Sequence, residues 1–307
     1  MRPLCALAWA SLTLNPVLAQ PPTLPEILSR VAEEAEVLQQ NAPKALTQET
    51  LEQRATMPPS RFRPRAGAAV AQSAGTRLQT REIVSEYSVG TLKESANPTL
   101  IEFRQVIAVD GRPVQSAEKA RHALSLGVHS SDDRLRKRML EDFAKHGLVD
   151  IATDYGLILL AFTKRGQEQM HIELAGKSRI GTDDAEILSW RQTSSESGEL
   201  EFHGRQVARR ALQGTLWVRS DGLPLRVQAW AEHTEGSHKT RDEATVDYTL
   251  SAHGFLTPVS VLHRHIVDAR LITENHYRYE PFKLFSADTD IKFTEVPDPA
   301  ALPPVKK

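Results

Sequence analysis

His263 and His265 stand two residues apart in the run VLHRHIV. On a strand that spacing sends both imidazoles to one face, where they could hold a transition metal if a neighbouring strand supplied a third ligand such as His253 or His276. The chain has 11 histidines, so one such pair is expected without any metal, and nothing in the sequence fixes the third ligand. The two are therefore read as ordinary strand residues and no metal site is expected. Asp288-x-Asp290 is read in the same way, as a solvated strand entry and not a magnesium site. Serine, histidine and aspartate are abundant, yet no spacing singles out a triad. The sequence contains no G-x-S-x-G elbow, H-E-x-x-H pair, glycine-rich phosphate loop or D-x-D-x-D-G calcium loop. No catalytic residue and no cofactor is assigned, and a hydrolase whose residues cannot be named stays open as an alternative.

These side chains sit on the part of the chain that organises the rest. Between Gly214 and Phe293 five or six segments alternate large apolar or aromatic residues with polar ones, separated by turn residues. That is the period of half-buried antiparallel strands. The stretch 232–242 reads as a long charged hairpin loop inside this sheet.

Of the 307 residues 40% are apolar, enough for a substantial core. Lys and Arg total 38 against 39 Asp and Glu, which leaves no global field to recruit nucleic acid or an anionic membrane. At the start of the chain Arg2 precedes an apolar run from Leu4 to Leu14, and Asn15-Pro16 breaks it ahead of Val17-Leu18-Ala19. The run is too short to span a bilayer and reads as a secretory signal, residues 1–19, cut between Ala19 and Gln20. The one cysteine, Cys5, lies inside that signal, so the mature chain would have no disulfide, thiolate metal site or cysteine nucleophile. Arg2 is the only charged residue lost, which would take the formal charge from −1 to −2. No later apolar run is long enough for a membrane helix, so no transmembrane segment is expected in the mature chain.

Downstream, Leu24, Ile27, Leu28, Val31, Ala35 and Leu38 share one helical face, and Asn41-Ala42-Pro43 ends that helix. Thr47 is placed as the cap of a short second helix reaching Leu51. Residues 57–77, rich in Pro, Ala, Gly and Arg, read as a flexible loop in which Arg61, Arg63 and Arg65 are solvated charge. Strands are expected over 81–89 and 100–109. On the first, Ile83, Tyr87 and Val89 point one way, and on the second Ile101, Phe103, Ile107 and Val109 line one face. A tight turn at Asp110-Gly111 follows. Ser116 then caps a helix ending at Gly127, and Ser130 with Asp133 starts a second, carrying Leu135, Met139 and Phe143 and ending at Gly147. Residues 157–162, 170–174 and 185–192 are assigned as strands, 181–184 and 194–198 as turns, and 297–307 as a loose tail.

Two resemblances follow from particular runs. QVIAVDGRPVQSAEKARHAL, from Gln105, is similar to the strand, turn and helix beside the peptide groove of a PDZ domain, although the carboxylate-binding loop of that family has no counterpart here. More broadly, GTLWVRSDGLPLRV from Gly214, followed by Ala244-x-Val246-x-Tyr248, Pro258, Tyr279-x-x-Phe282-x-x-Phe285 and Ile291-Lys292-Phe293, resembles periplasmic lipoprotein-sorting carriers of the LolA/LppX-like kind. FRxVxxVDGRPV, from Phe103 to Val114, is also similar to secreted bacterial proteins that carry this run. The resemblance implies a half-barrel with helices over its concave face, but does not by itself imply lipoprotein transport.

The expected fold is thus α+β: one domain over 20–296, a strongly curved antiparallel sheet with the N-terminal helix and the inserted helical pair on its concave face. The leading function is a periplasmic or secreted binding or carrier protein for a hydrophobic small molecule or lipoprotein acyl chain. Its expected apolar lining is Ile101, Phe103, Ile107, Trp217, Val227, Val246 and Tyr248. A partner-binding module built on the PDZ-like turn is the third reading. The three differ in what should line the concave face: apolar surface for the carrier, converging titratable groups for the hydrolase, and an exposed patch or sheet edge for the module.

Overall fold

The computed structural model of the chain describes residues 22–57, 76–92, 100–130, 132–149, 151, 153–194, 199–203 and 206–285. The signal segment with Cys5, nearly all of the 57–77 loop, residues 195–198, Asp288-x-Asp290, Ile291-Lys292-Phe293 and the 297–307 tail lie outside them.

The described elements are helix α1 (Leu24–Asn41), strands β1 (Ala45–Met57), β2 (Arg77–Thr91), β3 (Leu100–Val109) and β4 (Arg112–Pro113), helices α2 (Ala117–His129) and α3 (Asp133–Ala144), a 3-10 helix (Tyr155–Phe162) and a short α4 (Lys164–Gln167). Strands β5 (Met170–Ile180), β6 (Asp183–Gln192), β7 (Glu199–His203), β8 (Gln206–Arg210), β9 (Gln213–Arg219), β10 (Pro224–Glu235), β11 (His238–Leu250), β12 (Leu256–Val267), β13 (Arg270–Tyr279) and β14 (Lys283–Leu284) follow. Twelve of the strands form one antiparallel sheet in the order β4-β3-β2-β1-β13-β12-β11-β10-β9-β6-β5, with β14 paired to β1. The two ends, β4 and β5, do not meet, so the sheet is an open half-barrel and the fold class is α+β, as expected.

Five strand pairs carry a β-bulge, and each extra residue bends the sheet and increases its twist. Pro224 and Pro258 stand beside two of these bulges, where the missing N–H is tolerated. Asp110 and Gly111 both have positive φ, 49° and 72°, the conformation of a two-residue hairpin turn whose twist matches its strands.

Directly opposed residues in a ladder share a face. Ile83, Leu51, Tyr277, Val261, Val246, Val227, Leu216 and Leu188 are opposed in succession across eight strands. None is more than 1% exposed, and each such side chain contributes about 1.5–3 kcal/mol on burial. This row defines the inner face. Helix α1 covers it with Ile27, Val31, Ala35 and Leu38, and the 3-10 helix with Leu157, Ile158, Leu159 and Phe162. Gly214 sits under the Trp190 ring, where an added Cβ would fall 2.9 Å from the indole and 1.8 Å from the Gln228 carbonyl oxygen.

Several expectations change. Thr47 caps no helix: 45–57 is a long strand at the centre of the sheet, pairing with β2 and β13. Its inward residues include Thr47, Glu49 and Gln53, all buried, so the polar types hid the alternation. Residues 157–162 belong to a 3-10 helix, because a short all-apolar run has no period to separate helix from strand. The charged loop at 232–242 is strand on both sides of a turn at Gly236 and Ser237, its charges lying along β10 and β11. Helix α2 is capped by Ser116, whose Oγ accepts from the Lys119 N–H, but runs on to His129; α3 is capped by Asp132.

The helical pair does not lie on the inner face as a unit. Leu124 and Val128 of α2 and Met139 of α3 pack with Ile101 and Phe103, which alternate with the inward-facing Glu102 and Arg104 and so belong to the outer face. Phe143, near the end of α3, reaches the main core, so α3 passes round the edge of β3 that β4 leaves largely unpaired.

Candidate functional site

The expected lining residues divide between the two faces. Val227, Val246 and Tyr248 are inner and buried. Trp217 pairs with Ile187 and Arg226 on the outer face and is half-buried, because Leu216 and Val218 take the inner positions on either side of it. Ile101 and Phe103 lie beneath α2, and Ile107 is the unpaired residue of the β2–β3 bulge. One extra residue in β3 therefore breaks the period-2 reading that grouped Ile101, Phe103, Ile107 and Val109.

The inner face carries two polar groups of residues flanking its apolar row. At one end Gln53 donates to Asn275 Oδ1 (2.9 Å) and accepts from the Leu148 N–H (2.6 Å). Asn275 Nδ2 lies 3.3 Å from His263 Nδ1, and His263 Nε2 lies 3.7 Å from Asp242, which also takes His265 Nδ1 at 2.7 Å. The two histidines share a face, as their spacing requires, and Asp242 stands between them. His276 points outward from β13 and His253 lies in the 251–255 turn, so neither joins them. Among the described residues no group of three or more His, Cys, Asp or Glu side chains is arranged to hold a metal ion. Burial holds His263 below its ordinary pKa and outweighs the pull of Asp242, so it stays neutral. Burial would raise the Asp242 value, but the hydrogen bonds from the two histidines hold it well below the usual carboxylate range. Tyr155 stacks on the His263 ring at 4.7 Å. With both ring nitrogens facing protein groups and one ring face covered, His263 is placed as a structural residue.

At the other end lies a group that the sequence analysis did not single out. Arg104 donates from Nε and Nη2 to the two oxygens of Glu49 (2.7 and 2.8 Å) and from Nη2 to Glu102 (2.6 Å). All three side chains are 1% exposed. Its guanidinium is 4.9–5.3 Å from the ring centres of Tyr87, Phe143 and Tyr277, a weakly hydrated planar cation suiting such a cage. Glu102 receives four donors: Tyr87 Oη (3.0 Å) and Gly156 N (3.0 Å) on Oε1, Arg104 Nη2 and Asp154 N (2.9 Å) on Oε2. The Glu102 N–H in turn donates to Asp154 Oδ1 (2.8 Å). Burial raises the Glu49 value, and Arg104 opposes it. Burial works to lower the Arg104 value, yet Glu49 and Glu102 raise it well above the ordinary one. Burial, then Glu102, push Asp154 up to about 7. Asp154 is only half-buried as a whole residue, but the shift follows its carboxylate, which sits on the buried Glu102 amide.

These bonds fasten the 3-10 helix to the sheet. Besides Asp154 and Gly156, the Tyr248 hydroxyl donates to the Gly156 carbonyl (3.0 Å) and accepts from the Leu159 N–H (3.2 Å). At the far end Gln167 donates to the Phe162 and Leu28 carbonyls, joining the segment to α1.

No family model matches the sequence, and no curated protein matches it. Among solved structures the chain is similar to a LolA superfamily protein from Nitrosomonas europaea, at 13% identity over 84% of this chain and 94% of that one, with a TM-score of 0.29. A DUF1329 family protein from Desulfovibrio piger is similar at 10% identity over 85% of this chain and 95% of that one, with a TM-score of 0.33. At these scores neither carries any statement about function, which rests on the site itself. No helix among the described residues is long and apolar enough to cross a membrane.

Proposed function

We propose that this chain is an exported, non-enzymatic binding or carrier protein for a hydrophobic ligand with an acyl chain. One observation carries the reading. An apolar row continuous across eight strands is closed by α1 and by a 3-10 helix whose sequence is YGLILLAF, and that 3-10 helix is held to the sheet by a handful of polar hooks around Asp154, Gly156 and Leu159. The reading requires this cover to move aside, and an acyl chain entering beneath it gains up to about 0.8 kcal/mol for each methylene buried, less the cost of ordering it. Contact with Val227, Val246 and Val261 needs no charged pair, so affinity should depend little on salt.

Lipid extraction of freshly purified protein followed by mass spectrometry should return bound acyl lipid, and the delipidated protein should bind a dansyl-labelled fatty acid saturably. Val227 is fully buried, so a Val227→Ala change, not a charge, is the suitable probe of the face, and it should weaken that binding. Absence of both bound lipid and saturable probe binding would remove the carrier reading and favour the hydrolase. Export is the second expectation. Sequencing the N-terminus of protein recovered from the exported fraction should begin at Gln20, and a chain that begins at Met1 would contradict it.

A further inference from the structure

Glu102 has all its hydrogen-bonding positions filled by Tyr87, Gly156, Arg104 and Asp154. Arg104 is shared between Glu49 and Glu102 and makes no hydrogen bond to Asp154. Asp154 is the poorly served carboxyl of the three: Oδ1 takes one backbone N–H, and Oδ2 has only the Thr153 hydroxyl at 3.4 Å. Three carboxyl groups thus share one guanidinium, and the third is the one carried by the segment over the apolar face. Asp154 also has φ of 68°, a left-handed conformation that an aspartate tolerates but that stores strain. Gly156, two residues on, is so close to the sheet that an added Cβ would lie 2.6 Å from Glu102 Oε1.

We infer that Asp154 is a proton-operated latch: uncharged, it lets residues 153–162 lie against the sheet and cover the apolar row, and ionised, it drives that segment off. The inference rests on the carrier reading for its purpose but not for its test. The groups facing the latch are Glu102 and Arg104 from β3, Tyr87 from β2, Glu49 from β1, Tyr277 and Tyr279 from β13 and Tyr248 from β11, with Thr153 and Tyr155 on its own segment and His263 of β12 behind Tyr155. Leaving the sheet returns the Asp154 carboxyl to water and its ordinary value of about 3.9. The closed form therefore holds the proton up to about pH 7, where the open form has already lost it. Closure is fully favoured at low pH and weakens as pH rises towards and through that value, with no further change above it. Freeing His263 from Tyr155 works the other way below about pH 6.5, the ordinary histidine value, so the comparison is made against a variant that keeps His263.

Amide hydrogen exchange at residues 155–162 reads the opening without any ligand. In the wild type, opening relative to Asp154→Asn should rise about tenfold between roughly pH 6 and pH 8.5, after correction for intrinsic exchange. Asn tolerates the left-handed conformation and keeps the acceptor for the Glu102 N–H, so Asp154→Asn should stay closed throughout. Gly156→Ala, which changes no charge, should open the segment at every pH and speed uptake of the dansyl-labelled fatty acid. Parallel profiles for wild type and Asp154→Asn would overturn the latch, as would Gly156→Ala exchange no faster than wild type. A pH-dependent opening in a protein that binds no probe would keep the latch and remove the carrier reading; probe binding with parallel profiles would do the reverse.

Discussion

Replacing Arg104 with Met should cost about 3–5 kcal/mol at neutral pH, a large part of the stability of an ordinary domain. The side chain is of similar length and would still fit among Tyr87, Phe143 and Tyr277, so packing is not what is lost. What is lost is, among the described residues, the only cation bonded to Glu49 and Glu102, whose side chains are 1% exposed and would remain as buried like charges. The pH dependence gives a second reading. Burial already raises the Glu49 value, and without the guanidinium only the hydrogen bond from Tyr279 opposes that rise. A raised folded pKa contributes stability below the ordinary carboxylate value and loses it as pH climbs through the folded one. Urea melts of Arg104→Met should therefore recover towards wild type at about pH 5 and fall away at about pH 8. Arg104→Lys should recover only part of the loss, because an ammonium cannot make the two parallel bonds to Glu49. A loss below about 1 kcal/mol for Arg104→Met would mean that the carboxylates are solvated or already protonated, contrary to the geometry.

Phe103→Ala should cost about 3–5 kcal/mol as well, by a different route and with a different signature. Its ring is fully buried between β3 and α2, against Leu124, Val128 and Met139, with Gly90 of β2 close enough that an added Cβ would lie 3.1 Å from it. Removing it opens a cavity on the outer face. Because the sheet separates that cavity from Val227, Val246 and Val261, affinity for the dansyl-labelled fatty acid, measured in buffer where both proteins are folded, should be unchanged. Val246→Ala should cost less, on the order of 2 kcal/mol, and should change the affinity. A Phe103→Ala protein with weakened probe binding would place the ligand under α2 and restore the lining first expected from the sequence.

The division between these two residues shows where reading the chain stopped short. Alternation along β3 was legible, and it correctly set Ile101 with Phe103. Which side of the sheet that pair faced was not, because period 2 relates residues within a strand and says nothing about which face receives a helix. The bulge at Ile107 compounded the problem, since one unpaired residue reverses the parity of everything after it and has no signature in FRQVIAV. Strand β1 was lost for a related reason: an inward row containing Thr47, Glu49 and Gln53 looks polar until Arg104 and Asn275 are brought to it from strands more than 50 residues away.

By itself the sequence determined the pieces whose causes are local. The stripe of α1, the Ser116 cap, the Asp110-Gly111 hairpin, the strands between Gly214 and Tyr279 apart from 232–242, and the common face of His263 and His265 all follow from neighbours a few residues apart, where side-chain period and turn chemistry act directly. Only the tertiary structure decided that Tyr155–Phe162 joins α1 over the inner face, that α2 lies on the outer one, and that Glu49, Glu102, Arg104 and Asp154 share a single buried site. Those residues come from β1, β3 and the segment after α3. In the extended chain each is an unremarkable solvated charge, and it acquires a partner and a role only when non-local strand pairing removes the water around it.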